Sequence, residues 1–424
     1  MDVRENRDAH RRRTLAKGLA AAILVSAWSI AALLLWRTEV PSLSLPRLDP
    51  RDFFSAAELA RIDDYRRVSR PLFVGAIAAE LAAVALCALF AAPLTRAARR
   101  LGRGTVRTGI CVALLVVLAI WLAQLPLEGA SHWWARRHGL THQGYGGWLA
   151  DAAVALAIQA VLFGLATAGA MLLARRLGGR WWIVGGPALA AAAVLFFVLQ
   201  PLVVQPLTND FRPLANPSLA RQVERLAARE GVTVDAVQQT DASRRTTEAN
   251  AYVAGIGPTR RVVFYDTILD GRFTRGELLS VAAHELGHVG RRHVWKGLAW
   301  FALIVIPGAA LLAFLTERRG GLADPSLVPL GILVALLIYF GTLPLQNAVS
   351  RRYEAEADWI ALRATNDPKD FVGLQQQFVR TSLAQPDPPG WVTFWFGTHP
   401  GPIDRIAMAK AYEERVSARS PGGS

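Results

Sequence analysis

The sequence of 424 residues contains little charge: charged residues make up 19% of it, whereas hydrophobic residues make up 52%. This balance excludes an ordinary soluble protein of this length and indicates several membrane spans. Cysteine is also scarce, since Cys87 and Cys111 are the only two and both lie in apolar runs. Two such cysteines exclude a disulfide framework and a cysteine metal site.

Lysine is nearly absent as well, with four in the chain, so arginine supplies almost all of the formal net charge of +14. A basic balance of this kind occurs in nucleic-acid-binding proteins and beside anionic lipid head groups. The arginines here cluster next to apolar runs, which favours the lipid interpretation. We therefore expect a lipid bilayer as a partner and no nucleic acid.

Seven segments approach the roughly 20 apolar residues that a membrane span needs. We therefore predict a multi-pass protein of the cell membrane. The first segment lacks a small-residue cleavage site and is interpreted as an uncleaved anchor. The predicted spans cover residues 18–36, 71–94, 108–125, 152–173, 181–204, 297–315 and 327–345.

The longest polar stretch lies between the fifth and sixth predicted spans. Its segment "NAYVAGIGPTRRVVFYDTIL" predicts two β-strands around a Gly-Pro turn. The segment "FTRGELLSVAAHELGHVGRRH" follows, and Thr274 with Glu277 forms the capping-box pattern of a helix start. The motif "HELGH" at residues 284–288 is thus predicted to lie on a helix.

That motif has the spacing of a metal site. His284 and His288 are four residues apart, so on a helix their imidazoles share one face and can bind one metal ion. Glu285 lies beside them, where a carboxylate can accept a proton from a metal-bound water molecule. A hydrolytic zinc site needs a third protein ligand in addition to these histidines.

Two candidates exist for the third ligand. His293 follows His288 by five residues, whereas the metzincin pattern requires six, and this mismatch disfavours it. The other candidate is Glu354 in "SRRYEAEAD", where Asp358 one turn later could orient a ligand histidine.

The distances to the membrane favour Glu354. His288 lies nine residues before the sixth predicted span, and Glu354 lies nine residues after the seventh. At about 1.5 Å per helical residue, both would stand roughly 13 Å from the same membrane face. Two antiparallel spans would therefore bring these side chains to the same height.

These segments together resemble a known family. "HELGH", "SRRYEAEAD" and "THPGPIDRI", with the strand pair before the metal helix, are similar to the integral-membrane zinc metalloproteases typified by the type I CAAX prenyl protease. Upstream, "FFSAAELARIDDYRR" and "HGLTHQGYGGWLAD" resemble its membrane-domain loops, so the resemblance covers nearly the whole chain. The composition, rich in Ala, Arg and Gly, indicates a bacterial member.

The resemblance implies a role for each matching residue. One Zn²⁺ would be bound by His284, His288 and Glu354, with Glu285 as general base. Asp358 would contact a ligand histidine, His399 would steady the oxyanion, and Arg405 would support them. The strand residues that would pair with substrate backbone are Asn250, Ala251 and Tyr252. The chain departs from the family after His399, where Pro-Gly-Pro replaces the usual two consecutive prolines.

The expected fold is mainly α, a multi-span membrane protein of seven transmembrane helices with a gluzincin-type α+β zinc protease domain. We expect a membrane domain of five spans at residues 1–205 and a peptidase domain at 206–424 that includes a two-span hairpin at 297–345. The expected function is a membrane-embedded zinc metalloendopeptidase acting on peptides and proteins, membrane-associated or misfolded. The alternative is a transporter or receptor with a structural zinc site, which would have four closed ligands and no use for Glu285.

Overall fold

Helices dominate the computed structural model of the protein, which describes residues 3–419. The helices before the polar segment are α1 (Val3–Trp36), α2 (Ala56–Leu89), α3 (Ala91–Leu101), α4 (Thr105–Arg137), α5 (Tyr145–Leu177) and α6 (Trp182–Leu199). The helices after them are α7 (Gln205–Thr208), α8 (Pro217–Arg229), α9 (Arg275–Gly290), α10 (His293–Glu317), α11 (Val328–Thr365), α12 (Pro368–Ser382), α13 (Gly390–Phe396) and α14 (Pro402–Arg419).

Six of the described helices are long and apolar enough to cross a membrane, namely α2, α4, α5, α6, α10 and α11. They coincide with six of the seven predicted spans, so the mainly helical, multi-pass character of the protein is confirmed. In α1 the apolar part among the described residues is the shorter segment Ala22–Trp36.

The surface of these helices is unlike that of a soluble protein. Large apolar side chains are exposed along them, including Leu165 at 67% and Leu122 at 54% of full exposure. In water such a surface would be unfavourable, whereas lipid tails cover it at no cost. The chain therefore places its apolar residues outward where lipid replaces water.

A four-stranded sheet lies between the two groups of membrane helices in the sequence. Its strands are β1 (Phe211–Pro213), β2 (Ala236–Thr240), β3 (Ala251–Ala254) and β4 (Arg261–Tyr265), in the spatial order β1-β2-β4-β3. β2 pairs parallel with β4, and the other two pairs are antiparallel. β3 and β4 are the predicted strand pair, whereas β2 and β1, the latter in a Pro-rich stretch, have no counterpart in the prediction.

The turn between β3 and β4 requires glycine at one position. Gly255 has φ +85°, and a Cβ on it would lie 2.2 Å from the carbonyl oxygen of Thr259. An L side chain would therefore clash with backbone as well as adopt a disfavoured conformation. This glycine shapes the turn of the β3–β4 hairpin and thereby fixes the register of the edge strand β3.

One large apolar core supports the sheet and the helix with the metal motif. It contains fully buried side chains from β4, α9, α11 and α12, namely Phe264, Leu286, Leu362 and Phe371. Because the interior is close-packed, α9 and the end of α11 are held rigidly against each other and against the sheet. That packing positions the residues described next.

Candidate metal centre

Helix α9 begins where the sequence predicts. The hydroxyl of Thr274 accepts a hydrogen bond of 3.1 Å from the backbone N–H of Glu277, and the carboxylate of Glu277 accepts one of 2.8 Å from the N–H of Thr274. This reciprocal cap satisfies two donors that a helix start otherwise leaves free. The helix continues through His284, Glu285 and His288, so the three share one rigid element.

Gly287 explains how α9 and α11 come so close. A Cβ on Gly287 would lie 3.3 Å from the Cβ of Ile360 and 3.4 Å from the Cα of Ala357. The hydrogen atom of glycine therefore lets the two helices approach at the motif itself. As a result, side chains from α11 reach the imidazoles of α9.

The structure brings together the side chains of His284, His288 and Glu354. The Nε2 atoms of the two histidines are 3.1 Å apart. Glu354 Oε2 lies 3.2 Å from His284 Nε2, and Glu354 Oε1 lies 3.5 Å from His288 Nε2. All three residues are largely buried, so two imidazole nitrogens and a carboxylate converge on one point with little water around them.

This arrangement fits a zinc-sized cation. Zinc bonds of about 2.0–2.1 Å at tetrahedral angles separate neighbouring ligand atoms by roughly 3.3 Å. The observed separations of 3.1, 3.2 and 3.5 Å lie around that value. Among the described residues, Glu354 Oε2 is buried and makes no hydrogen bond of good geometry, although imidazole nitrogens lie 3.2 Å from it. A buried carboxylate oxygen without a partner is costly, and a bound cation would satisfy it.

The other ring nitrogen of His284 faces a carboxylate. Asp358 is fully buried, and its Oδ1 lies 2.8 Å from His284 Nδ1. Arg405 of α14 donates two hydrogen bonds to the same carboxylate, from Nε to Oδ2 at 2.8 Å and from Nη2 to Oδ1 at 2.5 Å. Burial by itself would lower the pKa of His284, but Asp358 and Glu354 outweigh it and raise the pKa to about 10. The environment of this ring therefore strongly favours a positive charge next to it, whether a proton or a metal ion.

Glu285 is positioned beside the ligand cluster and not within it. Its side chain is partly buried on α9 between the two histidines. Burial raises the pKa of Glu285 above the usual carboxylate range. A raised pKa favours a carboxylate that must accept a proton and then release it.

His399 lies on the loop before α14 and reaches the same cluster. Its Nε2 is 3.2 Å from Glu354 Oε2, although its side chain is 55% exposed. The loop is supported from α11, where Arg351 donates to the carbonyl oxygens of Thr393 at 2.7 Å and Gly397 at 2.6 Å. Sequence reasoning missed Arg351, which precedes the EAEAD segment and shows no spacing signal of its own.

His293 contacts the cluster from outside. Its Nδ1 lies 2.9 Å from the Nδ1 of His288, the ring nitrogen on the opposite side from Glu354. Its Nε2 lies 2.9 Å from Oε2 of Glu356, a buried carboxylate that sequence reasoning did not single out. These two residues interact with a histidine of the cluster rather than with the point where its ligand atoms converge.

Asn250 precedes β3, which is an edge strand, and Ala251 and Tyr252 are the first two residues of that strand. β3 pairs with β4 on one side, and its other edge carries no strand within the part of the chain that the structure describes. β3 also packs beside α9. A free strand edge next to the metal helix could accept an extended peptide.

A cavity of about 330 Å³ opens beside the cluster between α10 and α11. His288 and Glu354 border one end, and the walls include Phe301, Ile304 and Leu345. The cavity is therefore mostly apolar away from the cluster, and it could hold a large apolar group next to the ligand atoms.

Comparison with known families supports the site and the membrane helices together. The sequence model of peptidase family M48 matches residues 213–413. The model of the CAAX prenyl protease N-terminal region, described as five membrane helices, matches residues 51–210. The chain is a CAAX prenyl protease-like membrane metalloprotease whose residues 213–413 match peptidase family M48. The resemblance found in the sequence is therefore confirmed.

Relatives of this M48 protein occur in bacteria and in eukaryotes. It is 29% identical over 379 residues to the "Uncharacterized metalloprotease YhfN" of Bacillus subtilis. That alignment covers 86% of this chain and 88% of the Bacillus protein. It is 27% identical over 242 residues to the CAAX prenyl protease 1 homolog of Oryza sativa subsp. japonica, or 53% of this chain and 56% of the rice protein.

A solved structure shares the fold. The crystal structure of S. mikatae Ste24p aligns with a TM-score of 0.75 and 20% sequence identity. The alignment covers 92% of this chain and 97% of that one. The likeness therefore extends across the membrane helices and the sheet.

Proposed function

We propose that this metalloprotease is a zinc endopeptidase with a single Zn²⁺ bound by His284, His288 and Glu354. The observation that carries the proposal is the cluster of three ligand atoms at separations of 3.1–3.5 Å on two packed helices. A catalytic zinc site combines three protein ligands with one open position, and this cluster provides three.

Glu285 is the general base of the proposed reaction. Zinc, when bound, polarises a carbonyl group and makes water more acidic. Glu285 accepts a proton from the attacking water molecule and passes it to the leaving amine, for which its raised pKa is suited.

Three further residues support the reaction. Asp358 Oδ1 lies 2.8 Å from His284 Nδ1 and favours a proton there, which leaves the Nε2 lone pair for the metal, and Arg405 holds Asp358 in place. His399 Nε2 lies close enough to the cluster to donate a hydrogen bond to the carbonyl oxygen of a substrate as negative charge develops on it.

Residues Asn250, Ala251 and Tyr252 bind the substrate backbone in this proposal. An extended peptide would add to the free edge of β3 and be held in register beside α9. Asn250 O accepts from Tyr265 N–H of β4, and backbone groups alternate along a strand, so the N–H of Ala251 faces the free edge. A proline at position 251 would remove that backbone donor and should raise KM more than it lowers kcat. An unchanged KM would exclude strand addition at this segment.

We further propose seven membrane spans, with α1 as the first. Its exposed apolar side chains, such as Leu24 at 70%, match those of the other spans, and Trp28 donates a hydrogen bond of 2.9 Å to Leu303 on α10. An odd number of spans places the two termini on opposite sides, so tags at both ends should show opposite accessibility. Tags on the same side would exclude the seventh span.

The domain boundary proposed between residues 205 and 206 falls near the junction of the two matched family regions. Residues 1–2 and 420–424 of the two domains lie outside the described part of the chain. If the boundary divides independent units, the separately expressed fragment 206–424 should fold by itself and unfold in a cooperative transition. Failure of that fragment to fold would instead make the two regions one unit.

The proposed substrates are membrane-associated or misfolded proteins and peptides. The apolar cavity beside His288 and Glu354 favours a large apolar group next to the scissile bond. Such groups are exposed in membrane proteins and in misfolded chains, and a lipid-modified peptide also carries one.

Glu285→Gln tests this function directly. The variant keeps the three ligands, so it should bind one zinc ion per chain. Its peptide hydrolysis should fall by roughly a thousandfold, because a general base contributes about 10²–10⁴-fold. Full turnover by this variant would overturn the assignment of the base.

The same variant can identify the substrate. Proteins retained by the Glu285→Gln variant in its native membrane are compared with those retained by Glu414→Gln, a change of an exposed glutamate on α14. Enrichment of membrane or unfolded proteins supports the proposal, and exclusive enrichment of lipid-modified peptides would contradict it.

A further inference from the structure

His293 is a buried histidine for which the proposed reaction has no role. Its side chain is 5% exposed, and it lies between His288 and Glu356 with both ring nitrogens engaged. A buried imidazole with two specific partners, one of them a proposed zinc ligand, requires an explanation beyond packing.

The backbone is bent in order to bring His293 there. In a continuous helix a side chain five residues after His288 would point about 140° away from it. Instead, α9 ends at Gly290, and Arg292 adopts the left-handed conformation with φ 55°. A left-handed residue other than glycine is uncommon and mildly strained, and here it turns the chain so that His293 folds back onto His288.

The hydrogen bonds fix where the protons lie. A carboxylate can only accept, so His293 Nε2–H donates to Glu356 Oε2 at 2.9 Å. The neutral ring of His293 then has a lone pair on Nδ1, which accepts from His288 Nδ1–H at 2.9 Å. His288 is thereby left with a lone pair on Nε2, the atom that faces Glu354.

Glu356 is itself firmly held. It is 1% exposed, and its Oε1 accepts a hydrogen bond of 2.8 Å from the backbone N–H of Glu39, three residues after α1. Lys296 Nζ lies 3.8 Å from Oε2, and Arg291 Nε lies 3.9 Å from Oε1. Two acceptor positions and two nearby positive charges keep this carboxylate in one orientation.

The ring plane of His293 is also fixed. It stacks on Tyr353 with 4.6 Å between ring centroids and an angle of 7°. The hydroxyl of Tyr353 donates to the carbonyl oxygen of Leu35 at 2.7 Å. The end of α1, the start of α10 and α11 therefore meet around this one imidazole.

We propose that His293 and Glu356 are positioning residues that orient His288 and fix its tautomer for zinc binding. This inference rests on the proposed zinc site, and it gives His288 an indirect counterpart of the contact that Asp358 makes with His284. The chain of contacts Glu39–Glu356–His293–His288 also connects the segment after α1 to the metal centre.

Glu356→Gln is the sharpest test because it replaces one carboxylate oxygen by an NH2 group and changes almost no volume. Both oxygens of Glu356 must accept hydrogen bonds, whereas glutamine offers one acceptor and one donor. Either Glu39 N–H loses its partner, or His293 is forced into the other tautomer and His288 then carries its proton on Nε2. We expect zinc affinity to fall by about 10–100-fold, the usual cost of losing such an outer contact.

The measurement is chelator competition for zinc on the full-length chain in detergent, together with the absorption spectrum of the cobalt-substituted protein. The double variant His293→Ala with Glu356→Gln should bind zinc no more weakly than His293→Ala, because the two act in series. Tyr353→Phe is the matched control, since it removes hydrogen bonds from the same cluster but keeps the ring stacked. It should leave zinc affinity and the cobalt spectrum unchanged.

Each outcome decides one statement. Wild-type affinity in both Glu356→Gln and His293→Ala would overturn the positioning role, and so would an equal loss in Tyr353→Phe, which would indicate a merely structural cluster. A loss in Glu356→Gln that parallels a lowered unfolding midpoint of the metal-free chain would overturn it too. Failure of the wild-type protein to bind zinc would instead refute the proposed function.

Discussion

The candidate metal centre has two sides that are supported by opposite ends of the chain. On the side of His284, Asp358 lies 2.8 Å from the ring and is held by Arg405 of the C-terminal helix α14. On the side of His288, Glu356 acts through His293 and is held by the backbone N–H of Glu39, just after the N-terminal helix α1.

Both supporting carboxylates come from α11, two residues apart and almost fully buried. They face different helices because successive residues of a helix point in different directions. One carboxylate touches its histidine directly, and the other needs a second imidazole to span the distance. A metal centre built on two helices can therefore still depend on the packing of segments from both ends of the chain against those helices.

The largest effect is expected where the two sides share a residue. Glu354→Ala removes the ligand common to both, so zinc binding should be lost and hydrolysis should fall roughly a thousandfold or more, because catalytic zinc needs three protein ligands. Zinc content and peptidase assays check this, with Glu414→Ala on the surface of α14 as control. Retention of stoichiometric zinc would show that another side chain completes the site.

A smaller effect, but a clear contrast between the sides, is expected from their arginines. Arg405→Ala leaves the fully buried Asp358 without its charged partner and should destabilise the protein by about 3–5 kcal/mol. Arg291→Ala removes an ion pair with Glu39, whose side chain is 62% exposed, and a 3.9 Å contact with Glu356, which keeps the N–H of Glu39 and the charge of Lys296. That change should cost only about 0–1 kcal/mol. Thermal unfolding in detergent compares them, and equal shifts would contradict the asymmetry.

A smaller effect on zinc binding than that of Glu354→Ala is expected from Asp358→Asn. The amide of asparagine can donate a hydrogen bond to His284 Nδ1 and so disfavour the tautomer that binds zinc. Zinc binding should therefore weaken by about 10–100-fold, or roughly 1.4–2.7 kcal/mol. Combined with Glu356→Gln, the losses should add, since each acts on a different histidine. Chelator competition on the single and double variants measures this, and a double variant no weaker than Asp358→Asn would show that the two sides are not independent.

Much of the site could be predicted because its residues follow local rules. The spacing of His284 and His288 and the cap at Thr274 depend on one helix, and the pairing with Glu354 followed from counting residues to the membrane. That count assumed a continuous helix from His288 into the sixth span. The structure breaks that helix at Arg292, and the close packing of α9 against α11 at Gly287 brings Glu354 to the histidines.

The residues that sequence reasoning missed have no local pattern. Glu356 lies between Glu354 and Asp358, yet on a helix it points to another face, and its partners are residues 293 and 39. Arg351 contacts carbonyl oxygens more than 40 positions later in the chain. Strand β1 has three residues in a Pro-rich segment and exists only because β2 pairs with it. Contacts of this kind depend on where distant segments meet.

The sequence by itself determined that this protein is a multi-pass membrane chain with an HELGH helix and a matching glutamate, because hydropathy and helical spacing are local properties. Only the tertiary structure decided that His293 faces His288 from behind, that Glu356 binds it, and that the segment after α1 closes the chain of contacts. A left-handed turn at Arg292 and the close approach at Gly287 create those contacts, and neither can be derived from the composition of the segments that they join.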